Sequence, residues 1–167
     1  MKMFLSVMVV CACVAVGFAQ TPQPSAPAQR AGQPATAPMP PQTPVTKVLF
    51  FDHTKTSEAF AKGIPLVNAP DMIVQGSHRD VAGQVEVHDK ETDVIYIIDG
   101  GATFVTGGKM VGGKVSRPGQ WLGTDITGGE SHHLVKGDMI IVPAGTPHWF
   151  KEVSPPVSYY VVKVVKP

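Results

Sequence analysis

The stretch Gly137-Asp138-Met139-Ile140-Ile141-Val142-Pro143-Ala144-Gly145-Thr146-Pro147-His148-Trp149-Phe150 decides how the rest of the chain is read. Met139–Val142 is a short β-branched run of the kind that packs well on a pleated surface, and His148–Val153 reads as a second strand. Between them, two prolines and a glycine make a stiff corner, because proline fixes its own backbone angle and glycine supplies the turn. His148 opens the strand leaving that corner, a position that suits a ligand whose geometry must not wander.

Working outward, the same pattern recurs. Met72–Val74, Gln84–His88, Val94–Ile98, Ala102–Thr106 and Ser158–Val165 are further short runs, and Gly100-Gly101, Gly107-Gly108, Gly112-Gly113 and Gly128-Gly129 mark connections. Many short strands with turns at this spacing predict an all-β, antiparallel sandwich or barrel. One long connection is expected from Gly107 to about Ser131, lying over the barrel mouth with Trp121 in it. Upstream, Val48–Phe51 reads as a short strand. Thr54 or Thr56 can cap one brief helix through Glu58, Phe60 and Lys62, which Gly63 stops.

The N-terminus has a different character. Lys2 followed by the apolar run Phe4–Phe18 and the small residues Gly17 and Ala19 predicts a signal peptide over 1–19 and a periplasmic or secreted protein. Cys13 offers an alternative, a lipoprotein anchored at that residue. Residues 20–44 hold eight prolines among Gln, Ala, Thr and Ser, a composition for an extended, disordered linker. The folded domain is therefore expected over 45–167. Both cysteines, Cys11 and Cys13, fall within the signal, so no disulfide or thiolate site is expected after cleavage. Without Lys2, Lys and Arg together equal the 13 Asp and Glu. Such a balanced chain has no field to collect nucleic acid, and a small-molecule ligand is the better expectation.

A second cluster carries chemistry. In Glu86-Val87-His88-Asp89-Lys90-Glu91-Thr92-Asp93, strand alternation points Glu86 and His88 to one face, and after a turn at Lys90 and Glu91 the chain returns with Asp93 aimed back at it. Tyr96 has the opposite parity and is expected to face away. His132 and His133, being adjacent, read as a surface pair, His53 and His78 as surface or turn residues, and Trp149 and Phe150 as packing residues. Nothing in the glycine pairs forms a phosphate loop, and there is no Gly-x-Ser-x-Gly.

From roughly Asp71 to Val165 the chain resembles the cupin superfamily. Gly137, Pro143, Gly145 and His148 meet the positions of that family's second motif. In its first motif His88, Asp93 and Gly100 keep the spacing, while Glu86 stands for the first His and Asp93 for a longer Glu. The resemblance implies an antiparallel double-stranded β-helix, a jelly-roll or cupin barrel, with one short N-terminal helix. It also implies a divalent metal (Fe, Mn or Zn) held by Glu86, His88, Asp93 and His148, with Glu91 an alternative to Asp93, and a homodimer joined through edge strands. Oxygenase, isomerase or lyase chemistry would suit such a site. The alternatives are a non-catalytic binding or sensing barrel with structural or no metal, and an accessory part of an envelope complex using Ser158–Lys166 as an edge strand.

Overall fold

The computed structural model describes residues 43–167, so the expected signal peptide and the linker as far as residue 42 lie outside the described residues. The first element is the helix α1 (His53–Lys62). Its N-cap is Asp52, whose carboxylate accepts from the Lys55 amide, and not Thr54 or Thr56. The cap stands two residues before Thr54 and four before Thr56 because an Asp at the strand-like residue preceding the helix satisfies an orphan amide directly. Gly63 ends the helix as expected, in the left-handed conformation. Val48–Phe51 forms no strand, and Val48 and Phe50 are exposed. With no neighbouring strand beside it, β propensity alone does not make a ladder.

Eleven strands follow: β1 (Pro65–Asn68), β2 (Met72–Arg79), β3 (Val85–His88), β4 (Glu91–Thr106), β5 (Lys109–Val111), β6 (Lys114–Arg117), β7 (Gln120–Gly123), β8 (Asp125–Thr127), β9 (Glu130–Val135), β10 (Met139–Val142) and β11 (His148–Val165). Every pairing is antiparallel. β4 and β11 each unite two of the runs seen in the sequence, and each serves two layers. Their outer halves, Glu91–Asp99 against Ser158–Val165, lie in a layer ordered β1-β2-β11-β4-β10. Their inner halves, Gly101–Thr106 against His148–Ser154, lie in a layer ordered β9-β4-β11-β3-β7-β6. The pair bends where Gly100 meets Pro155-Pro156, and the register shifts there. Gly100 has φ of 76°, and a Cβ on it would run into the carbonyl oxygen of Pro156.

The two layers close over one core. Ile95, Ile97, Val142, Val157, Tyr159 and Val161 of the first meet Ala102, Phe104, Leu134 and Phe150 of the second. Phe104 and Phe150 pack edge to face at 4.6 Å, and Phe150 stacks on Tyr159 at 4.8 Å. Fully burying a side chain of this size contributes roughly 1.5–3 kcal/mol. On the outer side of the first layer, α1 lays Phe60 against Tyr160 at 4.3 Å. Gly76 permits this, since a Cβ there would touch the Phe60 backbone at 3.0 Å.

Two expectations are corrected. The stretch from Gly107 to Ser131 is not an open connection: it forms the ribbon β5–β8, and β7 extends the second layer by pairing with β3. Its short strands escape a propensity reading because glycine, lysine and serine interrupt them. Ser158–Lys166 is not an edge, because β11 is flanked by β2 and β4. Among the described residues the edges are β1 and β10 of one layer and β6 and β9 of the other. No helix of the described residues is long and apolar enough to cross a membrane.

Candidate metal centre

Three strands bring the chemistry together. β3 supplies Glu86 and His88, two residues apart and on one face, as alternation requires. β4 supplies Glu91 and Asp93 on the parity of the buried Ile95 and Ile97. β11 begins with His148, which pairs with Glu86 on one side and Thr106 on the other. Near its far end the same strand carries Lys163, paired in register with Asp93.

His88, Asp93 and His148 are all buried. The two imidazole rings stand 5.0 Å apart, and both turn Nε2 toward Asp93, with Oδ2 at 3.3 Å from His88 and 3.7 Å from His148. Glu86 Oε2 lies 3.5 Å from His88 Nε2. His88 with Glu86 and His148, and His88 with Glu91 and Asp93, are two overlapping groups whose donor atoms are close enough to hold one ion.

The far side of each ring fixes its tautomer. His148 Nδ1 lies 3.0 Å from the carbonyl oxygen of Thr146. A carbonyl only accepts, so Nδ1 carries the proton and Nε2 presents a lone pair. At His88, the Lys163 ammonium donates to Nε2 at 2.7 Å, so Nε2 again accepts and Nδ1 donates to Gln120 Oε1. Both imidazoles are thus set to offer Nε2 to a cation, the arrangement that a backing hydrogen bond imposes on metal-binding histidines.

A cationic group already lies there. Lys163 Nζ donates to both Asp93 oxygens at 2.8 Å and sits 3.2 Å from Glu91 Oε2. That Glu91 oxygen is buried without a hydrogen-bond donor, near the ammonium but outside its bonding directions. Arg79 lies 3.7 Å from Glu86, while its Nε donates to Tyr159 Oη at 2.8 Å and its guanidinium covers the Phe150 ring. Burial dominates at His148 and lowers its pKa, so the neutral imidazole is favoured despite Thr146 and Asp93.

The four expected residues fall into two groups that share His88: Glu86 and His148 stand with it in one, and Asp93 stands in the other together with Glu91, with Asp93 Oδ2 also 3.7 Å from His148 Nε2. Tyr96 faces outward as expected, Phe150 is core, and Trp149 is half-buried with Nε1 donating to the Gly83 carbonyl. His133 is exposed, but its neighbour His132 shares the inward parity of Leu134 and bonds Thr106 at 2.9 Å, so the two do not form a surface pair. Lys163, Gln120 and Arg79 were missed. Lys163 had a signal, as the one charge in the run Ser158–Val165, on the inward parity of Tyr159 and Val161. Gln120 had none. A surface depression of about 300 Å³ bordered by Gln84, Lys114, Val115 and Leu122 contains none of these histidines or carboxylates.

A family model described as Cupin matches residues 53–167. The chain belongs to the cupin family. Solved structures similar to this chain include a protein from Bacillus halodurans, 13% identical, with a TM-score of 0.52 over 75% of this chain and 87% of the other. Another is a conserved protein with a double-stranded β-helix domain from Klebsiella pneumoniae, 18% identical, with a TM-score of 0.43 over 61% and 74%. The KdgF protein of a Halomonas species is 16% identical, with a TM-score of 0.42 over 62% and 78%. No curated protein matches.

Metal binding is frequent among cupins, and the residues of this one fit a divalent ion. Two neutral imidazoles aim their lone pairs at one place, carboxylates stand beside them, and a buried Glu91 oxygen lacks a donor. Nitrogen and oxygen donors in this mixture suit Fe(II), Mn(II) or Zn(II).

Proposed function

We propose that this chain is an exported cupin that holds a divalent metal through Glu86, His88, Asp93 and His148 and binds a small organic molecule beside it. The observation that carries this reading is the tautomer of the two buried histidines, each backed at Nδ1 and presenting Nε2 toward the Asp93 carboxylate. A bound divalent ion would supply Lewis-acid or oxygen-binding chemistry, which accommodates oxygenase, isomerase or lyase reactions. Around it, Gln120 and the Thr146 carbonyl hold the rings, Arg79 steadies Glu86, and Phe104 and Phe150 keep the inner side dry. Export is supported by Lys2 and the apolar Phe4–Phe18, and a mature N-terminus near Gln20 by mass spectrometry is its test.

One observation favours a second reading, a binding barrel that needs no metal: the Lys163 ammonium already neutralises Asp93. Metal content separates the two. Chain purified without chelators or a histidine tag should carry about one equivalent of metal, lost in both His88→Ala and His148→Ala, as expected for a site that needs both imidazoles. Absence of metal, with no uptake of Fe(II), Mn(II) or Zn(II) on titration, leaves the metal-free barrel. The apolar outer face beside edge strand β10 supports self-association as a homodimer.

A further inference from the structure

Lys163 contacts atoms that a metal would use. Its Nζ is 2.7 Å from His88 Nε2, 2.8 Å from each Asp93 oxygen and 3.2 Å from Glu91 Oε2. This is not a surface lysine folded inward by chance. Lys163 sits on β11 between two paired strands, directly opposite Asp93, and its side chain is 13% exposed. An ammonium has only three protons, so the fourth contact, Glu91 Oε2, goes without a hydrogen bond.

We infer that Lys163 is a built-in competitor for the metal: its ammonium holds the ligand set together in the metal-free barrel and must leave when a divalent ion enters. The inference rests on the metal-binding reading above. Charge favours exchange over addition. Glu86, Glu91 and Asp93 face only Lys163 and Arg79, which leaves the cluster one negative charge in surplus when both histidines are neutral. Replacing the ammonium by a divalent ion brings the cluster to neutrality, whereas keeping both would force two cations onto the same carboxylate. The lone pair of His88 Nε2 also cannot accept from Lys163 and bind a metal at once. Departure is mechanically easy, because the long stem of lysine can swing its head toward solvent while the backbone stays in the sheet. Near the same end of the barrel, β11 is within two residues of its close at Val165. Lys163 therefore determines how tightly the barrel takes its metal, and it disfavours ions with little affinity for imidazole, which must win the carboxylates from an ammonium unaided.

The full chain, stripped of metal by a chelator, is titrated with Zn(II) against a chromophoric competitor as parent, Lys163→Met and Lys163→Arg. Lys163→Met should bind Zn(II) about tenfold or more tightly than the parent, given the strength of charge repulsion at this range, and Lys163→Arg no more tightly than the parent. On the parent itself, acetylation of Lys163 read by mass spectrometry should speed up several-fold at saturating Zn(II). Equal or weaker Zn(II) binding by a folded Lys163→Met overturns the inference, and so does labelling of Lys163 that stays constant or slows when Zn(II) binds. If Lys163→Met does not fold, the labelling decides. Zn(II) binding that depends on His88 and His148 but ignores Lys163 defeats only this inference. No Zn(II) uptake by parent or Lys163→Met defeats the metal-binding reading together with it.

Discussion

His88 gets its chemical identity from Gln120, a buried side chain 32 positions away in sequence. Losing that acceptor frees the ring to flip or to take the other tautomer, and backing groups of this kind typically control metal affinity by 10–100-fold. Gln120→Leu should therefore weaken Zn(II) binding by about 10–100-fold, and the unpaired Nδ1–H should cost about 1–3 kcal/mol of metal-free stability. Gln120→Glu keeps an acceptor and should restore Zn(II) affinity to near the parent value. Calorimetric titration and thermal melting of the three proteins check this, and equal affinities would show that the ring needs no such support. At this scale the sequence was half legible. Strand alternation, a local property, put Glu86, His88 and Asp93 on one face and a rigid corner fixed His148, while their grouping as one ligand set came from the resemblance to cupins. Gln120 and Arg79 act through pairings between strands far apart in the chain, β3 with β7 and β2 with β11, which no window of neighbouring residues contains. Lys163 lay between these cases, visible as a lone charge on an inward parity, but its partner across the sheet was not.

The elements that make the barrel are the two long strands, and their shared bend depends on Gly100. Two separable costs meet there: a left-handed backbone, about 1–3 kcal/mol for a residue with a side chain, and a clash with the Pro156 carbonyl that a side chain would add. Gly128 has the same handedness, with φ of 73°, and open space around it. Gly100→Ala should therefore cost about 2–4 kcal/mol and lower Tm by ~10 °C, with Gly128→Ala nearer ~1 kcal/mol. Denaturant unfolding of both gives the clash as their difference, and equal losses would mean that the bend relaxes around a methyl group. The glycines also explain which elements could be foreseen. Gly100-Gly101 reads in sequence as a break between two strands, and so it is in direction, yet the ladder to β11 continues through it. Between Gly107 and Ser131 the same residue type interrupts genuine strands so often that the whole stretch looked like a loop.

Across the whole molecule, the fold class followed from a pattern repeated along the chain, whereas the surface shows what the barrel leaves unfinished. Met139 and Ile141 on edge strand β10 are each 60% exposed, and Tyr96 and Val164 extend the same outward face across β4 and β11. Isolated apolar residues on a surface mean little, but a contiguous face at a sheet edge, uncovered by the helix that shields Tyr160, is the kind of surface that association buries. An edge of the other layer is finished differently: β6 is exposed throughout and is bounded by Lys114 and Arg117, charges that discourage a further strand. If β10 pairs two copies, the interface is isologous, so each substitution acts twice. Met139→Lys together with Ile141→Lys should then convert a dimer to a monomer in sedimentation velocity. Neither side chain contributes to the core, so the melting temperature measured at low concentration should stay within a few degrees, as for surface changes of about 0.5 kcal/mol. A parent that sediments as a monomer at every concentration would rule out self-pairing on this face, and a doubly substituted protein that remains dimeric would move the contact to β1, β6 or β9.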